Sequence, residues 1–91
     1  MKRFIIERDV PGIGKLSPPE AAQAAKASCD ALKAIGTDVQ WQHSFIAADK
    51  TFCVYLAKDE DAIRKHSELS GFPANIITEV PGMLDPTSAA Q

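Results

Sequence analysis

The chain has 91 residues, of which 45% are hydrophobic and 24% charged, a composition typical of one soluble globular domain. Its net charge of -2 gives no reason to expect a nucleic-acid partner, and no basic run suggests binding to a membrane surface. The N-terminal segment becomes charged before a signal-peptide core develops, so we expect a cytoplasmic protein whose two cysteines stay reduced.

The first half of the chain predicts a strand followed by a helix. Residues 2–10 form a short run rich in isoleucine and phenylalanine that a Pro-Gly pair ends, which is typical of a strand. The segment SPPE then begins a helix, with Ser17 as N-cap and Glu20 closing a capping box. Alanine-rich sequence carries this helix to Ile35, and Gly36 is the expected stop. Its predicted buried face comprises Ala22, Ala25, Cys29 and Leu32.

The second half predicts a hairpin, a helix and a last strand. Two β-rich runs, about 38–46 and 51–58, flank a polar turn and read as a hairpin. The segment KDEDAIRKHSELSG places acidic residues before basic ones, as the helix dipole favours, and Gly71 ends the predicted helix. A short apolar run around 75–80 is the last predicted strand.

This β-α-β-β-α-β order is the ferredoxin-like arrangement, an α+β fold with a four-stranded antiparallel sheet. We expect a single domain over residues 1–82 and a C-terminal tail over residues 83–91. Two helices can cover only one face of such a sheet, and neither hairpin strand offers the charged face of a solvated sheet. We therefore expect a homodimer in which a second copy covers the open face, as a dimeric α/β barrel.

The hairpin carries two chemically reactive side chains, His43 and Cys53. A two-residue loop would pair Ser44 with Cys53 and turn His43 to the opposite face of the sheet. A three-residue loop would instead pair His43 directly with Cys53. Both alternatives stay open at this point. Strand alternation predicts that Trp41, His43 and Phe45 share one side of their strand.

A second imidazole, His66, lies on the inward stripe of the second predicted helix, with Ala62, Ile63 and Ser70. We expect Cys53 and His66, assisted by His43, to converge on one pocket between that helix and the sheet. Glu7 and Arg8 are expected to be solvated or edge charges.

The spacing W-x-H-S-F, then K-x-F-C-V-Y, then D-E-x-x-I-R-x-H with G-F-P after it, resembles a family of small bacterial ferredoxin-like domains that includes a nickel-binding protein. The resemblance covers most of the chain. It implies a dimer, and it implies that Cys53 and His66 occupy characteristic positions, with His43 matching one branch of the family. A thiolate and imidazoles suit nickel, zinc or copper. Tyr55, Glu60, water or a second chain would complete the ligand set.

We therefore favour a metal-binding protein, with nickel or another transition metal at His43, Cys53 and His66. The alternative is a dimeric α/β-barrel enzyme for a small apolar molecule, in which His43 or His66 acts as acid or base. Trp41, Tyr55 and Glu60 would then line its pocket. A third reading is a structural module whose only function is its dimer.

Overall fold

The computed structural model describes residues 1–90, and their element order is the predicted one. The elements are β1 (Lys2–Asp9), α1 (Pro18–Ile35), β2 (Val39–Ile46), β3 (Lys50–Ala57), α2 (Glu60–Ser70) and β4 (Ile76–Glu79). Short 3₁₀ turns lie at Ile13–Lys15 and Pro86–Ala90. The second of these falls within the predicted tail, whose last residue, Gln91, lies outside the described residues. The α+β ferredoxin-like class is confirmed.

Local capping fixes where the helices begin. The Ser17 hydroxyl accepts from the Glu20 amide at 3.3 Å, and the Glu20 carboxylate accepts from the Ser17 amide at 3.0 Å. This is the predicted capping box. Asp59 is the N-cap of α2, and its side chain accepts from the Ala62 amide at 2.9 Å. Gly71 ends α2 with a φ of 80°, a left-handed conformation that glycine adopts without a Cβ penalty.

The four strands form one antiparallel sheet in the order β2-β3-β1-β4. Both helices pack on the same face of this sheet, since α1 and α2 contribute to a single core with it. The buried residues of this core are Phe4, Ile6, Val39, Cys53, Tyr55, Ala57 and Ile63. The opposite face, which we call the open face, carries no other element of the described chain.

The predicted buried stripe of α1 is right for Ala25 and Leu32, which are partly buried toward the sheet, and wrong for Ala22 and Cys29. Ser28 and Ala31 are the buried residues of this helix, whereas Ala22 and Cys29 are exposed. Alanine surrounds this helix on nearly every side, so hydrophobicity alone gives little contrast between its faces. Ser28 faces inward because its side chain meets His66, a contact between two helices that the stripe could not reveal.

Candidate functional site

The hairpin has the two-residue loop, and its register decides which reactive residues share a side. The amide of Ala47 donates to the carbonyl of Lys50 at 2.8 Å, which closes the loop. Ser44 then lies opposite Cys53, and Ile46 lies opposite Thr51. Cys53 therefore faces the helices, and of the two alternatives the structure has the one that turns His43 away from it.

A bulge in β2 separates Trp41 from His43. Trp41 pairs with Tyr55, but the register then shifts so that His43 pairs with Val54. Trp41 consequently lies on the helix-covered face, while His43 and Phe45 lie on the open face. The prediction that these three side chains share one side is wrong, because the extra residue of a bulge reverses the alternation beyond it.

Two of the three expected metal ligands thus lie beneath the helices, and the third lies across the sheet. Cys53 and His66 are both buried, at 5% and 1% exposure, and each neighbours Tyr55, whose ring centre is 5.1 Å from that of His66. His43 is exposed on the open face, and Glu60 is exposed on α2, where it accepts from Arg64 at 3.2 Å. The expected convergence of His43 with Cys53 and His66 is therefore not found.

His66 is held as a neutral imidazole. Its Nε2 lies 3.2 Å from the Ser28 hydroxyl and 3.4 Å from the Ser28 carbonyl. Since a carbonyl can only accept, this geometry favours a proton on Nε2, and Nδ1 then has no hydrogen-bond partner among residues 1–90. Burial lowers the pKa of this imidazole, and the positive charge of Arg8 lowers it further.

A cavity of about 200 Å³ lies between α1 and the helix-covered face of the sheet. Small and aliphatic side chains form most of its wall, and Cys53, Tyr55, Trp41 and Arg8 reach it from the sheet. The lining also includes Val10, Ile13, Leu16, Ala21, Ala24, Ala25, Ser28, Ser44, Ile46, Thr51 and Phe72. Trp41 and Tyr55 therefore line a pocket of the kind that the enzyme alternative required, whereas Glu60 and His66 do not.

Arg8 is the functional candidate that the sequence reasoning missed. Its side chain is only 3% exposed, although it was expected to be a solvated or edge charge. Nη1 donates to the Pro73 carbonyl at 2.7 Å, to the Ser67 hydroxyl at 3.0 Å and to the Phe72 carbonyl at 3.3 Å. Nη2 reaches the Tyr55 hydroxyl at 3.5 Å. The guanidinium thus joins β1 to α2 and to the segment that follows it.

The open face combines exposed apolar side chains with the ion pair of Lys50 and Glu7. Phe45 is 62% exposed, and Phe52 and Ile76 also expose much of their side chains. His43 stands among them, with its ring meeting that of Phe45 edge-on at a centroid distance of 5.2 Å. Within residues 1–90 no helix is long and apolar enough to cross a membrane.

A family profile described as "Nickel responsive protein SCO4226-like" matches residues 4–80. The chain belongs to this family. Among solved structures, the chain is similar to one described as "Crystal structure analysis of SCO4226 from Streptomyces coelicolor A3(2)", with a TM-score of 0.74 and 20% sequence identity. That similarity covers 90% of this chain and 99% of the other, and it supports the ferredoxin-like fold. No curated protein matches this sequence.

The family description raises the question of whether the residues present fit a nickel ion. Nickel sites in proteins combine several nitrogen, oxygen or sulfur ligands in one place. In the part of the chain that the structure describes, no three His, Cys, Asp or Glu side chains lie close enough together to hold a metal ion. One chain alone therefore does not supply a full ligand set from these residue types.

Proposed function

We propose that this protein is a cytoplasmic, nickel-responsive homodimer that binds nickel, or zinc or copper in its place, with His43 as the principal ligand. The family description motivates the metal. The single observation that carries the site is the position of His43, an exposed imidazole on a sheet face that no helix of residues 1–90 covers. Neutral imidazole is a common ligand of nickel, copper and zinc.

A second copy is the natural source of the missing ligands. Covering the open face would remove exposed side chains such as Phe45, Phe52 and Ile76 from water, which favours association at roughly 25 cal/mol per Å² of apolar surface buried. A symmetric pair built on this face would bring a second His43 to the same interface. A second copy can supply ligands only on the open face, because the two helices shield the other face of the sheet.

Cys53 and His66 are the second candidate ligands. They offer a thiol and a neutral imidazole on the same side of the sheet, and Nδ1 of His66 is without a partner among the described residues. Both are buried, however, and only Cys53 lines the cavity. A metal at this pair would require the helices to move, whereas His43 needs no rearrangement.

Calorimetric titration of tag-free protein with nickel, zinc and copper tests the proposal. Wild type should bind nickel, and His43→Ala should weaken the affinity by at least about tenfold. Losing even a group that only supports a metal ligand typically lowers the affinity by that factor. Cys29→Ser, which removes an exposed thiol on α1, should bind as wild type does. Binding should weaken at acid pH, since protons compete for the imidazole.

The same titration separates the two candidate sites. If Cys53→Ser and His66→Ala each lose affinity while His43→Ala does not, the metal lies beneath the helices. Sedimentation tests the assembly, because Phe45→Glu should place a charge in the interface and yield a monomer with weakened nickel binding. A wild type that stays monomeric with and without nickel, and that binds nickel independently of His43, would refute the proposal.

A further inference from the structure

Arg8 is a buried cation that no carboxylate of the described chain neutralises. All of its hydrogen-bond partners are neutral, namely two backbone carbonyls and two hydroxyl groups. None of the ion pairs among residues 1–90 includes it. The Tyr55 ring, with its centroid 5.8 Å from the guanidinium carbon, adds only a weak attraction. A buried charge without a counter-ion is unfavourable, and proteins normally pair such a group.

The cavity beside Arg8 is the place where a counter-ion can lie. Arg8 forms part of the cavity wall, while Ala21, Ala24 and Ala25 of α1 form an apolar wall. At about 200 Å³ the cavity is somewhat larger than an engineered protein cavity of about 150 Å³ that binds benzene. The space thus suits a small apolar body with one charged group.

We propose that this cavity binds a small monocarboxylic acid, with its carboxylate paired to Arg8 and an aromatic or branched aliphatic body of about six to ten non-hydrogen atoms against α1. Guanidinium and carboxylate are matched in shape, and Nε of Arg8 donates to no protein group in the described chain. One unneutralised cation in an apolar wall favours a monoanion over a doubly charged phosphate, which would need further donors.

Tyr55 is placed to donate a second hydrogen bond to the carboxylate of the proposed ligand. Its hydroxyl oxygen accepts from Arg8, which leaves its own proton available for a ligand oxygen. Burial raises the pKa of this phenol, so the hydroxyl keeps its proton at neutral pH. The site lies across the sheet from His43, so it does not depend on metal binding at the open face.

Two groups in the cavity wall report on occupancy without any added label. Trp41 is the only tryptophan of the chain, so its fluorescence reports on this site alone. Cys53 is the only cysteine that lines the cavity, so in a Cys29→Ser background a bound molecule should slow its alkylation. The probes are benzoate and its neutral analogue benzamide.

Benzoate should change the fluorescence of Trp41 and protect Cys53 at millimolar or lower concentration. Benzamide should bind about ten- to a hundredfold more weakly, the difference that a charge-assisted hydrogen bond makes. Arg8→Met should weaken benzoate binding by a similar factor and so abolish most of the preference for benzoate over benzamide. Arg64→Met, which removes an exposed arginine, should match wild type.

Three results would overturn the proposal: no effect of benzoate on folded wild type, equal affinity for benzoate and benzamide, or full benzoate affinity in folded Arg8→Met. If Arg8→Met does not fold, the comparison of the two probes on wild type still decides the question. Ala25→Leu adds an independent check, because it fills the cavity from α1 and should reduce the binding of both probes. Unchanged binding in that folded variant would place the ligand elsewhere and also refute the assignment.

Discussion

Burial of His66 should make the fold less stable as the pH falls below neutrality. The ring is 1% exposed, and burial, together with Arg8, lowers its pKa below the ordinary value of 6.5. In the unfolded chain the same ring takes up a proton near that ordinary value. Between the folded and unfolded pKa values only the unfolded state is protonated. The contribution of His66 to stability is therefore complete above about pH 6.5 and declines as the pH falls toward the folded value.

The size of this effect has an upper limit set by one proton. One proton of difference corresponds to about 1.4 kcal/mol of unfolding free energy per pH unit. Between about pH 7.5 and about pH 5.5 the loss from this one group should therefore not exceed about 1.4 kcal/mol. Urea denaturation at several pH values, followed by the fluorescence of the single Trp41, measures it. The variant His66→Gln can still donate to Ser28 but cannot titrate, so the difference between the two profiles isolates the imidazole from the carboxylates.

Below about pH 6.5 the His66→Gln profile should be flatter than that of wild type, by no more than that amount. If both proteins lose stability equally over this range, the folded protein does not hold His66 neutral, and the interpretation of its burial is wrong.

Three further predictions concern the fold around the cavity. Burial raises the pKa of Tyr55, so the ultraviolet titration of its phenol in folded protein should begin above about pH 10. The free energy of unfolding should fall above that pH, because the unfolded chain ionises first. Ionisation of Tyr55 below about pH 10 in folded protein would contradict its burial. Ser17→Ala should lower the free energy of unfolding, measured by urea denaturation, by about 1 kcal/mol. A loss below a few tenths of a kcal/mol would mean that the cap is unimportant. Gly14→Ala should lower the melting temperature, since the added Cβ would lie 2.8 Å from the backbone oxygen of Ala47. Gly82→Ala is the control, because its Cβ would meet nothing within 4 Å. Equal melting temperatures of the two variants would refute the close contact at Gly14.

The element order could be predicted because its signals are local. The capping box at Ser17 and the stop at Gly71 each need only a few neighbouring residues, and both are present as predicted. The inward position of His66 follows from helical periodicity alone, and the structure has it there. Such features require no knowledge of what packs against them.

The arrangement of the site could not be predicted, because it depends on irregularities and on distant partners. The bulge between Trp41 and His43 leaves no trace in a pattern of alternating residues, yet it sends the two side chains to opposite faces. A periodic pattern predicts only which residues share a face while the backbone stays regular. The expected cluster of His43, Cys53 and His66 is absent for a separate reason, because the two-residue hairpin loop pairs His43 with Val54 and turns it away from Cys53.

Arg8 shows how a general rule can outweigh a correct local signal. Strand alternation places Arg8 on the same side as Phe4 and Ile6, both buried, but arginine is so rarely buried without a partner that an exposed position was the better expectation. Its acceptors at Ser67 and Pro73 lie 59 and 65 residues away along the chain and become visible only in the fold. These acceptors hold the guanidinium in place without neutralising it. Arg8 lies next to the cavity and across the sheet from the exposed His43, so the proposed anion site and the proposed metal site can be tested separately. Removing Arg8 should therefore affect benzoate and not nickel, and removing His43 should do the reverse.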